Sequence, residues 1–164
     1  MVFSCGINAQ TAMVNVTGAD VSFLDCDFIT ATATGTSTIL GILTAATATR
    51  LKVIGCRFTG TAAQTTATTA CIQHESGVDY TIQNCYFVGK QTQSILNVAT
   101  VLRGLIDNNR FVVGTGTVAI TMAAASTPFI SNNRINVASG TTPITAAAGF
   151  MSGNNYSAAA GVTA

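Results

Sequence analysis

Six acidic side chains and one histidine limit the catalytic chemistry that this sequence offers. Hydrolysis of a glycosidic bond uses two carboxyl groups about 5–9.5 Å apart, one of them as a general acid. Two pairs are near enough in sequence to act together, Asp25 with Asp27 and Glu75 with Asp79. A calcium-assisted lyase needs several oxygen ligands at one point, and no acidic cluster recurs along the chain. These pairs therefore predict, at most, a minimal hydrolase or lyase.

His74 lies between Gln73 and Glu75. A catalytic triad needs a nucleophile, a base and a group that orients the base, and no serine or cysteine is spaced to complete one. We therefore interpret His74 as a surface histidine. We expect no catalytic residue, no cofactor and no metal ligand in this chain.

Four of the five cysteines, Cys5, Cys26, Cys56 and Cys85, follow one another at spacings of 21, 30 and 29 residues. These spacings match no zinc pattern. They predict small buried side chains in one inward column, with Cys71 on a different strand. A disulfide between stacked cysteines is the alternative, which the lack of an export signal disfavours.

The cysteines belong to a six-residue phrase that recurs seven times, and such a repeat decides the fold. The copies begin 21, 30, 29, 24, 24 and 21 residues apart, at Val2, Phe23, Val53, Ile82, Ile106, Ile130 and Met151. The first position is always apolar. The fourth is Cys in four copies and Asn in three, and the sixth is Phe, Ile or Tyr.

The third position of the phrase is Ser, Asp, Gly or Asn. Gly, Asn and Asp best tolerate a left-handed backbone, so this position predicts a sharp bend that lets positions one, four and six all point inward. Like residues at a fixed period then lie above one another at ~4.8 Å. We predict an all-β protein, a single-stranded parallel β-helix of about seven coils, in one domain spanning residues 1–164.

Each coil should also contain a second strand and a short third strand that leads into the next phrase. The second strands are predicted near Ala12–Val16, Ile39–Leu43, Ala70–Gln73, Ser94–Val98, Val118–Met122, Pro143–Thr145 and Gly161–Thr163. Tyr80–Ile82 and Pro128–Ile130 are examples of the third. The phrases predict a stack of aromatic rings at position six and a ladder of asparagine amides at position four.

Composition excludes several classes of protein. The net charge of +1 gives no electrostatic footprint for nucleic acid. No window reaches the ~20 apolar residues of a membrane span, and we expect no signal peptide in the first residues. Charge is uneven, however: residues 1–79 hold three basic and five acidic side chains, whereas residues 80–164 hold four basic and one acidic.

Several outward positions are predicted to be apolar, which usually marks a surface for association. Position two of the phrase reads Phe3, Leu24 and Ile54 in the first three copies, and the strand containing Leu40 and Leu43 is apolar on both faces. We expect no capping helix at either end of the solenoid. These features favour a homo-oligomer.

Position five also points outward and is the first candidate for a contact surface. Its column reads Gly6, Asp27, Arg57, Tyr86, Arg110, Arg134 and Asn155. Tyr86 between arginines offers a ring for a sugar, or cations for an acidic partner.

The phrase, read as hydrophobic–x–Asn/Gly–Asn–x–Phe, resembles the coil repeat of right-handed parallel β-helix proteins. These include the pectate-lyase-like superfamily and the β-helices of bacteriophage tailspikes and other virion proteins. The resemblance covers nearly the whole chain and implies a right-handed coil. Enzymes of the superfamily carry aspartate clusters that this sequence lacks, so it looks more like the virion members, whose tailspikes are homotrimers.

We therefore expect a non-enzymatic structural protein of a virion, assembled in the host cytoplasm. A capsid decoration or cement protein, in contact with a major capsid protein, is the narrowest expectation, and a fibre or spike module is the next. A carbohydrate-binding or adhesive β-helix is the alternative, and a minimal polysaccharide lyase or hydrolase is the second alternative.

Overall fold

The strands follow one another through three sheets in a fixed rotation. The computed structural model describes residues 1–5, 12–30, 40–60, 68–75, 77–89, 91–113, 118–123, 126–136, 143–146 and 150–157. The chain visits each sheet in turn and then returns to the first, and the strand pairs are parallel. The structure is therefore an all-β parallel β-solenoid, as predicted. Within the described ranges, no helix has the length and hydropathy needed to cross a bilayer.

Each sheet collects strands from successive coils. The first sheet contains β1 Val2–Cys5, β4 Asp27–Thr30, β7 Arg57–Gly60, β11 Tyr86–Gly89, β14 Arg110–Val113, β17 Arg134–Asn136 and β20 Asn155–Ser157. The second contains β2 Ala12–Val16, β5 Leu40–Thr44, β8 Thr68–His74, β12 Gln91–Asn97, β15 Val118–Thr121 and β18 Ile144–Thr145. The third contains β3 Ser22–Leu24, β6 Lys52–Ile54, β9 Gly77–Val78, β10 Thr81–Gln83, β13 Val101–Asp107, β16 Thr127–Ser131 and β19 Phe150–Ser152.

The predicted count of about seven coils is too high. The last phrase adds only β20, in the first sheet, and no described strand in either other sheet follows it. The phrase marks passage through one bend and one sheet, so counting phrases overestimates the number of coils that have all three strands. The predicted strand at Gly161–Thr163 lies outside the described residues.

The first copy of the phrase is also out of register with the others. Phe3 pairs with Phe28, and Cys5 pairs with Thr30 rather than with Cys26. Phe3 thus occupies position six of the repeat, not position two. The alignment was wrong because Val2 and Cys5 imitate the apolar first and fourth positions at the same spacing.

The other six copies bend where the sequence predicts. Every residue at position three has a positive φ, between 50 and 67°: Asp25, Gly55, Asn84, Asn108, Asn132 and Gly153. The bend joins a strand of the third sheet to the next strand of the first. It turns the chain without a loop, so both flanking strands keep an apolar side facing the interior.

The interior is built from columns of like side chains. The rings of Phe28, Phe58, Phe87 and Phe111 are stacked with centroids 4.6–4.9 Å apart and planes within 7° of parallel. Isoleucines in register line the second sheet, at Ile42, Ile72, Ile95, Ile120 and Ile144. Stacked rings add about 0.5–1.5 kcal/mol per pair beyond burial, which favours this register over a slipped one.

The predicted amide ladder is present at position four. Asn109 Oδ1 accepts the backbone N–H of Cys85, Asn133 Oδ1 accepts that of Asn109, and Asn154 Oδ1 accepts that of Asn133. Each Nδ2 also donates to a main-chain carbonyl of the preceding coil, at Ile82, Ile106 or Ile130. The ladder therefore supplies partners to main-chain groups that the bends leave unpaired.

Candidate contact surfaces

The column of position-five side chains forms a straight row on the outer face of the first sheet. Asp27 pairs in register with Arg57, Arg57 with Tyr86, Tyr86 with Arg110, and Arg110 with Arg134. The three arginines are exposed, whereas Asp27 and Tyr86 are half-buried. We call Arg57, Tyr86, Arg110 and Arg134 the basic row.

The two arginines next to Tyr86 lie over its ring. The guanidinium carbon of Arg110 is 5.2 Å from the ring centroid and that of Arg57 is 6.0 Å away. Because β11 lies between β7 and β14, the two guanidiniums approach the ring from opposite sides. Cation–π attraction holds the three side chains together, so a sugar ring would compete with an arginine for the face of the ring.

Arg110 and Arg134 carry charges that no carboxylate neutralises within the described part of the chain, where both ion pairs involve other arginines. Alternation along each strand places a second outward row beside them. Val88 and Val112 are in register in this second row, and both are half-buried. The first sheet therefore presents cations directly beside aliphatic side chains.

The outer face of the third sheet carries the apolar side chains predicted at position two. Leu24 is 57% exposed and pairs in register with the half-buried Ile54. Farther along the same face, the half-buried Leu105 pairs with Phe129, which is 42% exposed. The prediction of apolar outward side chains is confirmed for Leu24.

Phe3 does not belong to that face. Its ring stacks on that of Phe28 at 4.8 Å and is partly buried against the core. Its predicted outward orientation is therefore wrong, because the first copy of the phrase is out of register with the others. In the second sheet, Leu43 is half-buried and pairs with Asn15 and Gln73. The backbone of Leu40 lies in β5, but its side chain is outside the described set.

A second column of charged residues, which the sequence did not reveal, lies at the bends that lead into the third sheet. Asp20 and Arg50 form a bidentate pair at 2.5 and 2.6 Å, and Asp79 and Arg103 form another at 2.6 and 3.0 Å. All four residues have φ between 55 and 61°. Hydrogen bonds from the guanidiniums hold the pKa of Asp20 and of Asp79 below its usual value. The side chains of these two aspartates and two arginines line a surface groove of about 370 Å³.

Three of the four candidate hydrolytic carboxylates, Asp25, Glu75 and Asp79, have structural roles. Asp25 occupies a bend with φ of 50°, and Glu75 accepts a hydrogen bond of 2.6 Å from Gln73 Nε2. Asp79 is committed to Arg103. In the third sheet, Asp107 accepts hydrogen bonds from Ser131, Asn132 and Gln83, with that of Ser131 at 2.6 Å, and they lower its pKa. A carboxyl group with a lowered pKa is a poor general acid at neutral pH.

His74 is buried, with 2% of its surface exposed, so its interpretation as a surface histidine is wrong. Its Nδ1 is 3.1 Å from Thr44 Oγ1, and its ring stacks on that of Tyr80 at 4.5 Å. Nε2 has no hydrogen-bond partner among the described atoms, and neither does Oδ1 of Asn97 in the adjoining strand. Burial lowers the pKa of His74 to about 4.

The thiols of Cys26, Cys56 and Cys85 form the predicted buried column and are free. Their hydrogen bonds follow the asparagine pattern: Cys56 Sγ accepts the N–H of Cys26 at 3.4 Å, and Cys85 Sγ donates to the carbonyl of Val53 at 3.4 Å. A hydrogen bond with Cys85 lowers the pKa of Cys56 to about 7 and raises that of Cys85. Cys71 lies on the second sheet, also buried and free.

No group of three or more histidine, cysteine or acidic side chains in the described ranges is arranged to hold a metal ion. Comparison of the chain with protein-family models, curated proteins and solved structures gives no match.

Proposed function

We propose that this chain is a non-enzymatic structural protein that works by packing against copies of itself, as a right-handed β-helix within a virus particle. A capsid decoration or cement protein is the narrowest form of the proposal, and a fibre or spike module is the next. The exposed Leu24, beside Ile54 on the outer face of the third sheet, is the observation that carries it.

Leu24 lies in β3, the edge strand of the third sheet, whose backbone is held by β6 on one side and by the bend at Asp25. Covering an exposed leucine contributes about 25 cal/mol per Å² of apolar surface removed from water. Leu105 and Phe129 extend the apolar surface on the same face, beyond the polar pair Thr81 and Gln83. A face with two apolar patches suits lateral packing in a symmetric oligomer, for which a homotrimer is our expectation.

The roles of the carboxylates support a structural rather than a catalytic protein. Asp20 and Asp79 are paired with arginines, and Asp107 is held by three hydrogen bonds. Each helps to hold one coil against the next, because the partners lie in adjacent coils.

Self-association is tested by sedimentation velocity at micromolar concentration. We expect a trimer for the unmodified chain and a monomer for Leu24→Asp, since a carboxylate at this point would be desolvated on packing. Val98→Asp is the matched control, because Val98 is an exposed aliphatic residue directly after β12, on a different sheet from Leu24. A monomeric unmodified chain would contradict the proposal.

The viral role is tested by the genes that adjoin the coding sequence. Neighbouring genes for capsid, portal and terminase proteins would support it, and a cellular operon without them would oppose it. If particles are obtained, cross-linking should join this chain to the major capsid protein in the decoration form of the proposal.

A further inference from the structure

The basic row concentrates positive charge in a chain that is otherwise close to neutral. Of the seven basic residues, Arg50 and Arg103 are paired with aspartates. Arg57, Arg110 and Arg134 instead lie in register on one sheet. Adjacent strands are about 4.8 Å apart, so the row extends for roughly 14 Å, a length that suits several carboxylates of one ligand.

Tyr86 gives this row more order than isolated surface arginines have. Its ring lies between the guanidiniums of Arg57 and Arg110, which restricts their rotamers before any ligand arrives. Less side-chain entropy is then lost on binding, and a guanidinium offers two parallel N–H donors to a carboxylate.

We propose that the basic row and the neighbouring Val88 and Val112 bind an acidic segment of a partner protein, one with aliphatic side chains between its carboxylates. The arginines would bind the carboxylates, and the valines would pack against the aliphatic side chains. This inference stands independently of self-association, which involves the third sheet.

Two observations favour an acidic protein segment over other polyanions. An arginine lies on each side of Tyr86, so a sugar ring or a nucleic-acid base must compete with a guanidinium to stack on it. The aliphatic row beside the cations contributes to binding only if the ligand has apolar side chains, which polysaccharides and phosphodiester backbones lack.

Fluorescence anisotropy with labelled peptides on the full chain tests the proposal. The probes are a peptide of alternating glutamate and leucine, a peptide of alternating glutamate and serine, heparin, and single-stranded DNA. We expect the glutamate–leucine peptide to bind most tightly, and its affinity to fall as salt is added, because exposed charges are screened. The double variant Arg110→Gln/Arg134→Gln should weaken it by about 25-fold, at about fivefold for each exposed ion pair.

The double variant Arg50→Gln/Arg103→Gln is the matched control, because it removes the same charge from a different face of the solenoid. It should leave the affinity for the glutamate–leucine peptide within about twofold of the original, given that surface charges at a distance are screened. Circular dichroism establishes that both double variants keep their strands. Equal losses in the two variants would overturn the proposal. So would tighter binding of heparin or DNA than of the peptide, equal binding of the serine peptide, or no peptide binding at low salt.

Discussion

Asn133 and Asn109 are joined by two hydrogen bonds to a single oxygen. Oδ1 of Asn133 accepts both the backbone N–H and the side-chain Nδ2 of Asn109, each at 3.0 Å. Both residues are buried, so water cannot replace these bonds without opening the coil. The amide therefore serves as a main-chain partner as much as a core side chain, and it fixes the register of two coils.

We predict that Asn133→Ala destabilises the solenoid by about 3 kcal/mol, because it leaves buried polar groups of the neighbouring coils without partners. Asn133→Cys should cost less, since Cys56 accepts a main-chain N–H at the same position of its own coil. Urea denaturation followed by circular dichroism measures both. The exposed Asn136 provides the control variant, Asn136→Ala. An equal loss for Ala and Cys would contradict the proposed equivalence of the two side chains.

His74 should make the fold sensitive to moderate acid. Burial lowers its pKa from 6.5 to about 4 in the folded chain, so the unfolded chain binds the proton more tightly. The contribution of His74 to the free energy of unfolding is therefore fully present above pH 6.5. It falls as the pH drops towards 4, by about 3 kcal/mol in total. Below pH 4 this contribution no longer changes.

The His74→Gln variant tests this origin of the pH dependence, since glutamine retains hydrogen-bonding capacity without titrating. Its unfolding free energy should be flat between pH 6.5 and 5, whereas that of the unmodified chain should fall across this range. The lowered pKa values of Asp20, Asp79 and Asp107 begin to reduce stability only as the pH falls below about 5, towards their usual value of 3.8, so the comparison ends at pH 5. A slope that persists in the variant would assign the effect to other groups.

Phe87 should be one of the most costly residues to truncate. It is fully buried, with ring centroids of Phe58 and Phe111 at 4.9 and 4.8 Å. Phe87→Ala should cost about 3–5 kcal/mol through lost burial and the cavity that remains. Phe87→Leu should cost less, because the coil keeps an apolar side chain there. A loss below about 1 kcal/mol for alanine would show that the stack can collapse around the gap.

The bends of the phrase could be predicted from the sequence because their chemistry is restrictive. Few residues accept a left-handed backbone, and Gly, Asn and Asp recur where the φ values are positive, as at Gly55 and Asn84. The second column of bends, which lead into the third sheet, could not be predicted because two of its residues are arginines. Arg50 and Arg103 have φ of 55°, in a region that arginine does not favour, and each is held there by an aspartate of the preceding coil.

The buried position of His74 could not be predicted for a related reason. Its column in the second sheet pairs Val16 with Thr44, Thr44 with His74, and His74 with Asn97. These side chains share no chemistry, so no repeated residue type marks the column. The offset of 30 residues between Thr44 and His74, equal to that between Asp20 and Arg50, was the one signal available.

Gly89 should be the least replaceable of the described glycines on the first sheet. Its φ of 127° is rarely adopted by other residues, and an added Cβ would lie 2.6 Å from the Cα and N of Gly60 in the neighbouring coil. The obstacle is backbone, so no side-chain rotation relieves it. We expect Gly89→Ala to cost more than about 2 kcal/mol, from backbone strain and from displacement of the adjacent strand. Gly18→Ala is the control, because a Cβ there would meet no atom within 4 Å. The thermal unfolding midpoint of Gly89→Ala should therefore lie clearly below that of Gly18→Ala. Similar midpoints would show that β7 and β11 can move apart.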